Sequence, residues 1–237
     1  MRTSAATILA LLLLAPASRA DDLADCSQRA DVQRTIDGCT RVMASGALQG
    51  ALLAMTLNNR ANAYGALAKY DLAIADYDTA IALDPDYAHG YFNRGATHLE
   101  AGRNDFAIAD LTRALEIDPG LVSAFVNRGL AKLHGGMLDQ AIDDFTAALA
   151  LEPQSAISHN NRGVAFRRKG EIDRAVKDFD AALKLDPTYS TARNNRIDTL
   201  KAQPRSDGRE IDQRQTVSSD PYFENIRRSL LLVPDVK

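Results

Sequence analysis

The sequence predicts an all-α solenoid of antiparallel helix pairs, and three observations lead to this fold class. First, one 34-residue pattern occurs four times in succession, over 54–87, 88–121, 122–155 and 156–189. Second, the apolar residues in the second half of each repeat follow the three–four spacing of one helix face. Third, glycine and proline recur at fixed places between these faces. A fixed period of this length indicates stacked supersecondary units and not one globular core.

Each repeat, numbered here from position 1 to position 34, predicts two closely packed helices. Small residues at positions 8, 20 and 27 let the helices approach one another. They are Ala61, Gly95, Gly129 and Gly163; Ala73, Ala107, Ala141 and Ala175; and Ala80, Ala114, Ala148 and Ala182. The bulky residue that fills the seam at position 24 is Tyr77, Leu111, Phe145 or Phe179.

Two further positions predict where the helices end. Position 15 is Gly102, Gly136 or Gly170, with Ala68 in the first repeat, and glycine there is typical of a helix C-terminus. Position 32 is proline in every repeat, which stops the second helix. These prolines are Pro85, Pro119, Pro153 and Pro187.

This pattern resembles the tetratricopeptide repeat over Ala54 to Tyr189, more than half of the chain. The resemblance implies a right-handed superhelix, or α-solenoid, that acts in protein–protein interaction. It also implies that a ligand contacts the inner face of the first helices, mainly positions 2, 5, 6, 9, 12 and 13, which are called the inner face below. Such stacks seldom carry chemistry of their own.

The segments that flank the repeats are predicted to form the two ends of the solenoid. Residues 190–203 predict a capping helix, because Ile197 takes position 8, where every full repeat has a small residue. Residues 21–53 predict an N-terminal half-repeat, in which Val32 to Ala44 resembles a second helix. Cys26 then belongs to a shortened first helix.

Residues 1–20 predict a secretory signal peptide. Arg2 precedes an apolar run from Ile8 to Ala15, and Ser18-Arg19-Ala20 offers a small-residue cleavage site after Ala20. The alternative is a transmembrane anchor, for which the apolar run is too short. We therefore expect a periplasmic or secreted protein with no membrane span after cleavage.

The chain has two cysteines, Cys26 and Cys39. In an exported protein such a pair favours one disulfide, which would hold the terminal half-repeat together. The alternative is two free thiols packed as small hydrophobic groups. A cysteine-stapled segment followed by these repeats is also similar, more loosely, to small periplasmic bacterial tetratricopeptide-repeat proteins.

Asparagine occupies position 6 of every repeat and of the capping helix: Asn59, Asn93, Asn127, Asn161 and Asn195. An amide can donate to a carbonyl and accept from an N–H, so this row could hold the backbone of an extended peptide. Similar rows do so in peptide-binding members of the family. The alternative is that these asparagines pack adjacent repeats against one another.

Apolar residues line the inner face of the central repeats: Phe92, Leu99, Val126, Leu130 and Leu133. We expect them to be partly exposed and to form a binding patch. The alternative is that the C-terminal tail covers them. The lysine and arginine with which some family members grip a terminal carboxylate are absent from positions 5 and 9, so that activity is not inferred.

Arginine recurs at position 7 and aspartate at position 23. The arginines are Arg60, Arg94, Arg128, Arg162 and Arg196, and the aspartates are Asp76, Asp110, Asp144 and Asp178. The pattern favours ion pairs between neighbouring helices. The alternative is a row of free guanidinium groups that binds anions, and the aspartates argue against it.

The sequence predicts no enzyme, no cofactor and no metal site. His89, His98, His134 and His159 occupy four different positions of their repeats and do not converge. The formal net charge is −3 and no basic stripe occurs, so we expect no nucleic-acid partner.

Residues 204–237 predict a flexible linker and a short amphipathic helix. Tyr222, Phe223, Ile226, Leu230 and Leu231 share one helical face, and Pro221 and Pro234 bracket them. This helix could dock on the last repeats, in the inner groove or on a partner.

The predicted function is a non-catalytic scaffold that binds a peptide or protein segment of unknown identity in its groove. The alternatives are a homotypic assembly element and an accessory subunit of an envelope complex, neither with a free peptide ligand.

Overall fold

A computed structural model describes residues 17–28 and 30–202 of the chain, and these residues form eleven helices and no strand. Most of the predicted signal peptide and the whole predicted C-terminal helix lie outside the described residues. The helices are α1 Ala17–Ser27, α2 Val32–Ala44, α3 Gly50–Ala66, α4 Tyr70–Leu83, α5 Ala88–Glu100, α6 Asn104–Ile117, α7 Val122–His134, α8 Leu138–Leu151, α9 Ala156–Arg168, α10 Ile172–Leu185 and α11 Ser190–Lys201. The predicted all-α solenoid of helix pairs is confirmed.

The chain divides into two compact bodies, and the boundary between them falls between Thr97 and His98. They are called the N-terminal body and the C-terminal body and are described separately.

In the N-terminal body, a disulfide joins α1 to α2. Cys26 and Cys39 are bonded, and both are buried, so the predicted pairing is confirmed. Gly38 allows the close approach of the two helices, because a Cβ at this residue would lie 2.8 Å from the backbone nitrogen of Cys26. Arg41 adds ion pairs from α2 to Asp22 and Asp25 of α1.

The next helix pair, α3 and α4, packs through the small residues that the repeat predicts. Ala61, Ala73 and Tyr77 form one buried cluster, and the Tyr77 hydroxyl donates to Asn62 Oδ1 at 2.6 Å. However, α3 begins at Gly50, about one turn before the predicted start of the first repeat at Ala54.

In the C-terminal body, position 8 lies directly against the ring at position 24. A Cβ on Gly129 would come within 2.7 Å of Phe145, and one on Gly163 within 2.7 Å of Phe179. These contacts explain why the two repeats carry glycine at this position.

The residues at position 15 end the first helices in the left-handed conformation. The φ angles of Gly102, Gly136 and Gly170 are 73°, 75° and 82°, and Ala68 adopts 55° without the freedom of glycine. The predicted helix ends are therefore confirmed, and the chain turns back there into each second helix.

Candidate functional site

Asn93 and Asn195, which belong to the predicted asparagine row, each bond to a neighbouring first helix. Asn93 of α5 donates from Nδ2 to Asn58 Oδ1 of α3 at 2.8 Å. Asn195 of α11 donates to Asn160 Oδ1 of α9 at 2.9 Å. In both pairs, position 6 of one helix reaches position 5 of the previous one. These contacts support the packing role for Asn93 and Asn195.

Asn160 connects two of the predicted asparagines. It is fully buried, accepts from Asn195, and donates to Asn161 Oδ1 at 3.3 Å. Asn161 is itself only 2% exposed, whereas Asn59 is half-buried. The predicted row is therefore not a uniform set of amides facing solvent.

Asn127 of α7 differs from the others. Its side chain is 1% exposed, and its amide Nδ2 has no hydrogen-bond partner. A buried donor without a partner costs about 1–3 kcal/mol. Asn127 thus keeps an unused donor next to the inner face.

The prediction that the apolar inner-face residues are partly exposed is wrong for four of the five. The relative exposures of Phe92, Leu99, Leu130 and Leu133 are 4%, 5%, 2% and 0%, and only Val126 is half-buried. In the C-terminal body the first helices α7 and α9 contact each other, and Leu130 and Leu133 of α7 are fully buried. Whether any of these residues binds a ligand stays a prediction.

Other inner-face residues of the C-terminal body are accessible. Ile157, at position 2 of α9, is 52% exposed. Arg167 is half-buried and Arg168 is exposed at the opposite end of the same helix. Arg168 also donates from Nη1 to the Leu133 carbonyl oxygen at 3.0 Å, which links α9 to the last turn of α7. Ile157 was not among the predicted site residues, although it lies at an inner-face position.

His134 lies at the same end of α7 as this contact. Burial, reinforced by the positive charge of Arg168, lowers the pKa of His134 to about 4. The imidazole is therefore neutral at physiological pH.

The recurring arginines form ion pairs, as predicted, and Arg162 shows the geometry. Its Nε and Nη2 donate to Asp178 at 2.7 and 2.8 Å, while Nη1 donates to Thr146 Oγ1 of the preceding repeat at 3.2 Å. Arg60 makes the same bidentate contact with Asp76, and this hydrogen bonding raises the pKa of Arg60.

The acceptor at position 25 of the preceding repeat is a feature that the sequence analysis missed. Each position-7 arginine reaches it: Arg60 to Thr40, Arg94 to Asp78, Arg128 to Thr112, Arg162 to Thr146 and Arg196 to Asp180. The arginines therefore tie successive repeats together.

The histidines of the C-terminal body lie in separate repeats. His98 Nε2 is 3.9 Å from Asp110 Oδ2, and His159 Nδ1 is 3.2 Å from Asp178 Oδ1. Across residues 17–28 and 30–202, no three His, Cys, Asp or Glu side chains are placed to share a metal ion. Over the same residues, no helix is long and apolar enough to cross a bilayer.

The helix pairs, their left-handed turns and the arginine ties define an α-solenoid repeat protein. Family models described as tetratricopeptide repeat match residues 88–121 and 126–190, and one described as TPR repeat matches 61–102. The chain is therefore a tetratricopeptide-repeat solenoid. No curated protein sequence matches it significantly.

Solved structures with similar folds include three repeat proteins. MamA from Desulfovibrio magneticus RS-1 is 19% identical with a TM-score of 0.66, over 73% of this chain and 95% of its own. YrrB, a TPR protein with an unusual peptide-binding site, is 21% identical with a TM-score of 0.60, over 70% and 84%. The first TPR of Spaghetti (RPAP3), bound to the HSP90 peptide SRMEEVD, is 24% identical with a TM-score of 0.50, over 52% and 97%. At these identities the likeness shows the fold alone.

Proposed function

We propose that the protein is a non-catalytic scaffold that holds a peptide or protein segment against its inner face. The observation that carries this proposal is the unused Nδ2 donor of Asn127. A backbone carbonyl of a bound segment would satisfy that donor without reading its sequence. Because Nδ2 is covered in the free protein, binding requires a local rearrangement of the side chains around it.

The neighbouring surface suits such a ligand. Val126 precedes Asn127 and is half-buried, and Ile157 on the adjacent first helix is 52% exposed. Apolar side chains of a ligand could bury against these two residues. The peptide bound to the Spaghetti domain and the peptide-binding site of YrrB support the same class of function.

We place this activity in the periplasm or outside the cell. The apolar run in the first 20 residues supports export, and a disulfide is a feature of proteins in oxidising compartments. The predicted cleavage point after Ala20 lies within α1, so cleavage would leave Asp21 at the start of the remaining helix. An acidic residue there interacts favourably with the helix dipole.

Site-specific photo-crosslinking in cells tests the binding surface. A photoreactive residue replaces Ile157 in one variant and Leu151 in a control variant. Leu151 is 51% exposed but lies on the second helix α8, so the two positions are matched in exposure. We expect crosslinks to another protein at position 157 and none at position 151. Asn127→Ala should reduce the yield, whereas Asn194→Ala, at an exposed asparagine of α11, should not.

The outcomes separate the alternatives. Crosslinks of equal yield at positions 151 and 157 would contradict a ligand held by the inner face. Crosslinks from position 157 to a second copy of the chain would favour the homotypic assembly element. A yield at position 157 that does not change in Asn127→Ala would exclude the Asn127 amide as a contact.

A further inference from the structure

The last helix of the described residues, α11, exposes two large apolar side chains on one face. Ile197 is 38% exposed and Leu200 is 40% exposed, and they lie three residues apart, so they are neighbours on the helix surface. In the repeat numbering they occupy positions 8 and 11.

In the complete repeats, positions 8 and 11 face the second helix of the same repeat. Gly129 lies against Phe145, and Lys132, at position 11 of α7, places Nζ 2.7 Å from Asp144 Oδ2 of α8. Phe166, at position 11 of α9, is 3% exposed. The face of α11 that carries Ile197 and Leu200 is thus the face that a second helix covers elsewhere. Among the described residues, α11 is followed by no such helix.

The chain itself supplies a candidate to cover this face. Residues 221–233 follow α11 and place Tyr222, Phe223, Ile226, Leu230 and Leu231 at helical spacing. The 19 intervening residues, 202–220, can span about 60 Å when extended, and packed helices need only about 10 Å. The short tether gives the segment a local concentration of about the millimolar range.

We propose that residues 221–233 dock on Ile197 and Leu200 as a substitute second helix. This contact closes the C-terminal end of the solenoid with a segment of the same chain. The N-terminal end is closed differently, by the disulfide between α1 and α2.

The identity of residue 197 determines how this substitute helix packs. In complete repeats glycine or alanine at position 8 leaves room for the position-24 side chain at van der Waals contact. Ile197 fills that space with its own side chain, so a covering helix must lie farther from α11. Large side chains such as Tyr222, Phe223 and Leu230 can bridge the wider gap, whereas the alanine-rich second helix of a normal repeat cannot.

A single tryptophan in the full chain tests this docking. The protein contains no tryptophan, so Phe223→Trp introduces a unique reporter on the proposed contact face. We expect blue-shifted emission and a quenching constant for acrylamide severalfold lower than for free tryptophan. Adding Leu200→Asn should undo both effects, whereas adding Leu151→Asn, on α8, should leave them unchanged. Circular dichroism confirms that the variants are folded, and Tyr222→Trp provides a second reporter if Phe223→Trp itself disturbs packing.

Each other result overturns the proposal. Full quenching of both reporters in the unsubstituted background means that the segment does not dock. Protection that survives Leu200→Asn and Ile197→Asn means that it docks elsewhere, for example against the inner face. Protection that disappears on hundredfold dilution means that a second copy, and not the same chain, covers α11.

Discussion

Arg128 and Asp144 meet through two parallel hydrogen bonds, Nε to Oδ2 at 3.0 Å and Nη2 to Oδ1 at 2.7 Å. The Asp144 side chain is only 5% exposed, and Lys132 Nζ also lies 2.7 Å from Oδ2. The remaining Arg128 nitrogen, Nη1, donates to Thr112 Oγ1 at 3.1 Å. One buried carboxylate therefore balances two cations, while the arginine joins two repeats.

Asp144→Ala should lower the free energy of unfolding by about 3–5 kcal/mol, because it leaves two shielded cations without their anion. Urea denaturation followed by circular dichroism measures the loss. Asp143→Ala is the matched control, because Asp143 is exposed, and we expect a change within about 0.5 kcal/mol. Equal effects of the two substitutions would contradict a structural role for the ion pair.

Ala68→Gly should raise the free energy of unfolding by about 1 kcal/mol, because Ala68 adopts a positive φ angle that glycine adopts without strain. The reverse change, Gly102→Ala, should lower it by a similar amount. No atom lies within 4 Å of a Cβ placed on Gly102, so the effect would come from the backbone alone. Thermal denaturation of both variants measures the two shifts, and shifts of the same sign would be inconsistent with this account.

Reducing the disulfide should destabilise the N-terminal end of the chain by about 3 kcal/mol in the chain-entropy model. The bond joins residues 13 apart in sequence. Hydrogen exchange should accelerate in α1 and α2 while α7 to α10 keep their protection. Thiol labelling of the unfolded, non-reduced protein should detect no free cysteine, and two labels per chain would show that the bond is absent in solution.

Stability should fall as the pH drops from 7 to 5, in part through His134. The pKa of this imidazole is about 4 in the folded protein and near 6.5 when unfolded, so the unfolded chain binds the proton first. The stability that the neutral His134 contributes is complete above pH 6.5 and is lost as the pH falls towards 4. We expect protonation of this residue in the unfolded chain to lower the free energy of unfolding by about 2 kcal/mol between pH 7 and pH 5. His134→Gln should show a smaller loss over the same interval, and identical pH profiles would refute the assignment.

Asn127→Leu should stabilise the protein by about 1 kcal/mol, because it removes a buried donor that has no partner. Asn195→Leu should instead destabilise it by about 1–3 kcal/mol, because Asn160 loses the group that donates to its Oδ1. Urea denaturation distinguishes the two signs. A loss of stability in Asn127→Leu would mean that the amide is satisfied in solution, for instance by an ordered water.

The repeat fold could be predicted from sequence because the residues that determine it recur at the same positions of each repeat. The same type of residue recurs at each of these positions, so comparing the repeats predicts its role. Examples are the small contact residue Gly129, the bulky seam residue Phe145 and the helix-ending Gly136. The arginine at position 7 and the aspartate at position 23 could be paired for the same reason. Their second acceptor was missed because position 25 is threonine in some repeats and aspartate in others and so shows no single residue type.

The accessible surface could not be predicted in this way. The exposure of Leu133 depends on how closely the neighbouring helices pack. The residue type at one position of the repeat does not determine that spacing. The hydrogen bond between Asn195 and Asn160 joins residues 35 apart, one more than the period. Comparing equivalent positions of the repeats therefore does not predict this pair.

The arginine contacts have a consequence for how such a chain can change in length. The repeats 54–87, 122–155 and 156–189 each contain the arginine, the aspartate that this arginine binds and the acceptor that the next arginine requires. A tandem duplication of one of these whole periods would therefore supply matching partners at the new junction. An insertion of any other length would leave a guanidinium group facing the wrong residue. Growth by complete repeats is thus the change that this architecture tolerates best.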